Sequence, residues 1–121
     1  MPQLANPFTI FVIGNDDRLA YLLQRYAEQS GYPIIFSKSA PAANHIDQLH
    51  PAAILFVSLD NLQASQELVE SLSANEILVL VCVSQADGAY ARELGADACL
   101  LHPLTYENFL AALSLAPSDA N

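Results

Sequence analysis

Positive charge is the scarcest property of this sequence. Its 121 residues include four basic side chains, Arg18, Arg25, Lys38 and Arg92, against 13 acidic ones, for a formal net charge of −9. Four scattered cations cannot build the continuous positive face that a phosphate backbone requires, which argues against nucleic acid as a direct partner. The acidity speaks for solubility and for nothing sharper. Glycine is equally scarce, with four in the chain, and no glycine-rich phosphate loop, Ser-His-Asp arrangement or paired-cysteine metal spacing is present, so no enzyme chemistry is expected. The longest uncharged apolar run, ILVLVCV (77–83), is far shorter than the ~20 residues a membrane helix needs, and no membrane span is expected. The start MPQLANPF lacks the basic residues and apolar core of a signal peptide, so the expected location is cytoplasmic. The two cysteines, Cys82 and Cys99, lie inside apolar runs, where a thiol acts as a small buried hydrophobe in its reduced form.

Apolar residues, by contrast, are abundant: 53% of the chain is hydrophobic and 14% charged, a balance that implies extended stretches buried on both sides. The length suits one domain, burying roughly two thirds of the surface its unfolded chain would expose. Five β-rich runs stand out, FTIFVI (8–13), PIIF (33–36), AAILFV (52–57), ILVLVCV (77–83) and ACLL (98–101), and their lack of polar alternation predicts strands covered on both faces. Helical spacing fills the gaps. Leu19, Leu22, Leu23 and Tyr26 fall on one stripe, with Asp16 or Asp17 to cap its start and Gly31 its end. Weaker helices are expected over 42–49, 65–73 and 88–94. A last one follows Pro103, with Thr105 as N-cap and Phe109, Leu110 and Leu113 on its apolar side. The domain is expected over 8–115, with an N-terminal extension at 1–7 and a frayed tail at 116–121.

Strict β/α alternation with short connections predicts a (βα)5 doubly wound parallel sheet with helices on both faces, a flavodoxin-like three-layer sandwich. The common strand order for five strands is 2-1-3-4-5, which puts the chemistry at the carboxyl ends of strands 1 and 3, where the order reverses.

The segment GADACLLHPLTYENFLAAL (95–113) resembles, without a gap, the Gly-Ala-Asp turn, fifth strand, Lys-Pro pair and final helix of response-regulator receiver domains. IFVIGNDD (10–17) resembles their first strand and acidic cluster. In that family an aspartate ending the third strand accepts a phosphoryl group, carboxylates after the first strand hold Mg²⁺, a Thr or Ser follows the fourth strand, and a lysine precedes the fifth-strand proline. Those groups suit the chemistry, because Mg²⁺ demands hard oxygen ligands and phosphoryl transfer a fixed cation. Placed on this sequence by resemblance, the acidic pair falls on Gly14 and Asn15, leaving Asp16 and Asp17 as displaced carboxylates and weak metal candidates. The acceptor falls on Val57, or by hydrophobic register on Ser58; the Thr/Ser position is Val83 or Ser84; the aromatic switch is Cys99; the lysine is His102. Valine and serine cannot form an acyl phosphate, and an imidazole is mostly neutral at pH 7 and shorter than lysine.

The expectation is therefore a degenerate receiver: a pseudo-receiver that needs no cofactor and signals by protein contact. The resemblance implies a histidine kinase, an effector domain or a second copy as partner. The face of the fourth helix, fifth strand and fifth helix, with Tyr90, Arg92, Leu104, Tyr106 and Asn108, is the candidate contact and homodimer surface. Two alternatives remain open. Asp60, in VSLDNL, becomes a Mg²⁺-dependent phosphoacceptor if a bulge carries it to the switch point, and otherwise caps a turn or is solvated. The emptied pocket, lined by Gly14, Val57 and Val83, could take a small ligand. Asp16 and Asp17 also read as helix-start carboxylates. His102 reads as a hydrogen-bonded loop histidine, or as a metal ligand or proton switch with Asp16 or Asp60, before a peptide bond that the resemblance makes cis. His45 and His50 read as solvated.

Overall fold

Short apolar runs leave little polar edge for solvent, and five of them form β1 (Ile10–Ile13), β2 (Ile34–Ser37), β3 (Ala53–Phe56), β4 (Leu78–Val83) and β5 (Ala98–Leu101). The structure, a computed structural model, describes residues 9–38, 51–74, 77–101 and 104–113. All paired strands run parallel in the order β2-β1-β3-β4-β5. Ile13 stands opposite Ser37 on one side and Phe56 on the other. The order reverses at β1 and β3, so their carboxyl ends mark the switch point.

The helices are α1 (Asp17–Ser30), α2 (Leu59–Ala64), α3 (Gln66–Ala74), α4 (Gly88–Glu93) and α5 (Tyr106–Leu113), with a 3-10 turn at Gln85–Asp87 before α4. Because alternate strand residues point to opposite faces, the sheet divides the core in two. Ile10, Val12, Leu55, Leu80, Cys82 and Leu100 pack under α1 and α5, against Leu19, Leu23, Phe109 and Leu113. Phe11, Ile13, Ile54, Phe56, Val79 and Val81 pack under α2, α3 and α4, against Leu62, Val69, Leu72 and Ala91. Among the described residues no helix is long and apolar enough to cross a membrane.

Local chemistry sets the element ends. Asp16 caps α1, and Gly31 closes it in the left-handed region at φ 84°, returning its N–H to Ala27 O. Thr105 Oγ1 accepts from Asn108 N at 3.1 Å and starts α5. Asp97 of the Gly-Ala-Asp turn ties β5 to β4, its Oδ2 accepting from Val79 N (2.8 Å) while its own N–H donates to Val79 O (2.7 Å).

Two sequence expectations are corrected. The segment after β3 is helical from Leu59, so the expected 65–73 helix is the second of a pair broken at Ser65. Six residues with one fully buried side chain, Leu62, show no periodicity to detect. And β2 is not covered on both faces: it is the sheet edge, with Ile35 and Phe36 38% and 39% exposed. The expected 42–49 helix, His45, His50, the 1–7 extension and the 116–121 tail lie outside the described residues.

Candidate functional site

The carboxyl ends of β1 and β3 meet through a glycine and a valine. The parallel ladder runs one residue past β3, with Val57 N donating to Ile13 O at 3.0 Å. That step seats Val57, 7% exposed, at the strand end beside Gly14. Gly14 adopts φ +134°, a conformation that side-chain-bearing residues rarely take. A Cβ there would overlap Val57 Cγ2 and lie 2.7 Å from Asn61 Oδ1, so the space above Gly14 is filled by Val57 and Asn61. Ser58 is withdrawn into the start of α2: its Oγ accepts from Asn61 N (3.2 Å) and donates to Asn61 Oδ1 (2.9 Å). Asn61 was not singled out from the sequence; the Ser-x-x-Asn spacing of a helix start was the available signal.

Asp60 does not reach this point. No bulge intervenes after β3, and Asp60 lies exposed in the first turn of α2. It is a helix residue and not the loop residue expected from the sequence. Asp16 is engaged by its own helix, its Oδ1 accepting from Leu19 N at 3.1 Å, and Asp17 is exposed in the first turn. Asn15 is exposed. Val83 ends β4 in the core, while Ser84 is exposed and donates from Oγ to Asp87 Oδ2 at 3.1 Å.

The receiver resemblance implies a Mg²⁺ ion, and these groups do not fit one. The position beside Gly14 offers a valine in place of a carboxylate, Asp16 spends an oxygen on its helix, and among the described residues no three His, Cys, Asp or Glu side chains form a metal-ligand group. One or two isolated carboxylates hold Mg²⁺ poorly. His102 and the bond to Pro103 lie outside the described residues.

Both cysteines are free. Cys82 faces the α1–α5 layer, and its thiol is pushed up to about 12 by burial first, then by the Asp16 carboxylate and Cys99. Cys99 faces the other layer, half-buried, its Sγ 3.8 Å from Gly88 O, and burial raises it against the lowering effect of Arg92.

The expected contact face is only partly on the surface. Tyr90 is exposed, its hydroxyl accepting from Gln63 Nε2 at 2.7 Å. Arg92 is exposed and donates from Nη1 to Asp97 O (3.3 Å), and Asn108 is exposed at the start of α5. Leu104 and Tyr106 are corrections. Leu104 is 7% exposed within the core. Tyr106 is half-buried, its ring 5.5 Å from that of Tyr26 and 6.5 Å from Phe109. Tyr26 in turn donates its hydroxyl to Leu104 O at 3.3 Å. Leu104, just before α5, and Tyr106, in its first turn, both meet Tyr26 of α1, so much of the aromatic ring that suggested an interface packs against the core.

No protein-family model matches the sequence, and no curated protein matches it significantly. Solved structures do. A response regulator signal receiver domain from Bermanella marisrubri is 18% identical with a TM-score of 0.69, covering 91% of this chain and 98% of its own. A response regulator protein from Burkholderia multivorans is 21% identical, TM-score 0.66, covering 96% and 100%. A chemotaxis protein from Vibrio cholerae is 11% identical, TM-score 0.72, covering 92% and 99%. With the strand order and the layer arrangement, these similarities establish that the chain has the fold of response-regulator receiver domains.

Proposed function

We propose that this chain is a receiver-fold signalling module, of the two-component kind and cytoplasmic, that acts through protein contact and does not accept a phosphoryl group. One observation carries the reading: the strand-end position beside Gly14 holds the side chain of Val57, backed by Asn61, where a phosphoryl group would need a nucleophilic carboxylate and space around it. A valine has no atom that can form an acyl phosphate, and the neighbouring Ser58 hydroxyl is committed to the α2 cap. Partners of this class are a histidine kinase, an effector domain or a second copy. The remaining exposed part of the α4, β5 and α5 face, Tyr90, Arg92 and Asn108, is the proposed contact and homodimer surface.

Incubation with acetyl phosphate and Mg²⁺, followed by intact-mass measurement, tests the reading. The mass is expected to stay unchanged. Uptake of one phosphate, lost in Asp60→Asn, would overturn it in favour of a working acceptor on α2.

A further inference from the structure

Taken by itself, α4 has little to hold it together. It is six residues long, Gly88–Glu93, well short of the ~12–15 residues at which an isolated helix begins to persist in water. It starts on a glycine, the weakest helix former after proline. Asp87 before it makes no side-chain cap; that carboxylate accepts from the Ser84 hydroxyl instead. Its buried side chain is that of Ala91, a single methyl where α1 and α5 bury leucines and a phenylalanine. At its start, Gly88 O meets only the Cys99 thiol, a weak donor, at 3.8 Å.

Two glutamines supply from the side what the helix lacks. Gln63 of α2 donates from Nε2 to the Tyr90 hydroxyl at 2.7 Å. Gln66, the first residue of α3, divides its amide between two elements: Nε2 donates to Leu62 O of α2 at 3.0 Å and to Leu94 O, at the end of α4, at 2.9 Å. A side-chain amide has two N–H donors, so both are spent. Leu94 O belongs to the carbonyls that a helix end leaves over. Just beyond it Gly95 turns at φ +108°, so close to α3 that a Cβ would lie 2.5 Å from Val69 Cγ1. The two glutamines thus grip α4 at its middle and at its end.

We propose that Gln63 and Gln66 form a latch on α4, and that α4 opens as a unit, apart from the unfolding of the sheet, when the latch is undone. Segments with little buried apolar surface, held by polar bonds near solvent, open at lower free energy than the core. By that measure α4 differs from β4, which is buried along its whole length. Tyr90 and Arg92 ride on α4, so the latch fixes how both are presented, and a partner that takes the Tyr90 hydroxyl takes it from Gln63. The inference goes beyond the contact reading and does not rest on it, because it concerns only how α4 is held.

Native-state hydrogen exchange of the full chain in low urea tests it. Leu94, Gly95 and Ala96 are the reporters, since their N–H groups donate to carbonyls of Tyr90, Ala91 and Arg92. These three are expected to exchange faster than the β4 amides and almost independently of urea, because opening α4 exposes little surface, while β4 follows the steep slope of global unfolding. Gln66→Glu, which turns a carboxylate toward two carbonyl oxygens, should speed the three by about tenfold or more; Tyr90→Phe, which deletes one hydroxyl from an exposed ring, should speed them by about two- to fivefold. If Gln66→Glu fails to fold, Tyr90→Phe and Gln63→Ala carry the same comparison. A urea slope shared with β4 in the parent protein, or variant rates equal to the parent's, would overturn the proposal. Phosphate uptake in the mass experiment would sink the contact-only reading and a shared slope would sink this one, so the two fail separately.

Discussion

Gly14 shows how much one residue decides at the strand ends. Its φ of +134° places it where an L side chain is strained, and Val57 and Asn61 occupy the volume such a side chain would need. Gly14→Ala therefore combines backbone strain with overpacking and should cost about 2–4 kcal/mol in urea unfolding. Adding Val57→Ala should return the overlap part but not the strain, leaving the double variant more stable than the sum of the two single changes. A Gly14→Ala protein as stable as the parent would show that Val57 does not sit there. The family resemblance pointed to Gly14 and Val57 as altered positions. That the one closes over the other could not be read from it, because the contact joins residues 43 positions apart in sequence, 14 and 57.

Elements differ in how openly the chain announces them. α1 has a full apolar stripe and a cap at each end, and its bounds, Asp17–Ser30, follow from both. The sequence left Asp16 and Asp17 as equivalent candidates for its start, and the structure separates them: Asp16 bonds the Leu19 amide, whereas Asp17 acts only through the helix dipole. Asp16→Ala should thus cost about 1 kcal/mol and Asp17→Ala a few tenths, measured by urea denaturation. Equal losses from both, or a Mg²⁺-dependent stability that Asp16→Ala removes, would favour cation binding over capping. α2 was illegible for the opposite reason, since six residues with one anchor carry no period. The exposure of β2 was illegible too, because PIIF is as apolar as the central strands and only its place at the sheet edge sets it apart.

At the scale of the whole molecule, the sheet makes two cores that share β1, β3, β4 and β5, and Cys82 couples one of them to pH. Its thiol rises from 9.0 to about 12 in the folded chain, through burial first, then Asp16 and Cys99. Between those values the unfolded chain has lost a proton that the folded chain keeps. The unfolded state binds fewer protons, and stability falls as pH rises. This one group should cost about 1.4 kcal/mol per pH unit above 9 and nothing well below it. Unfolding under reducing conditions across the alkaline range should show a shallower decline in Cys82→Ala, with a weaker slope of the same sign left by Cys99. Strand number, the β/α alternation, the parallel class, the Gly31 end of α1 and the Thr105 cap of α5 were determined by the sequence alone, because each is a pattern among residues a few positions apart. The tertiary structure decided that Val57 covers Gly14, that Asp60 faces solvent, that Leu104 and Tyr106 turn inward, and that Gln63 and Gln66 tie α4 down. Those outcomes depend on sheet register and on the rotation of each helix against the sheet, which distant residues set together and no local pattern encodes.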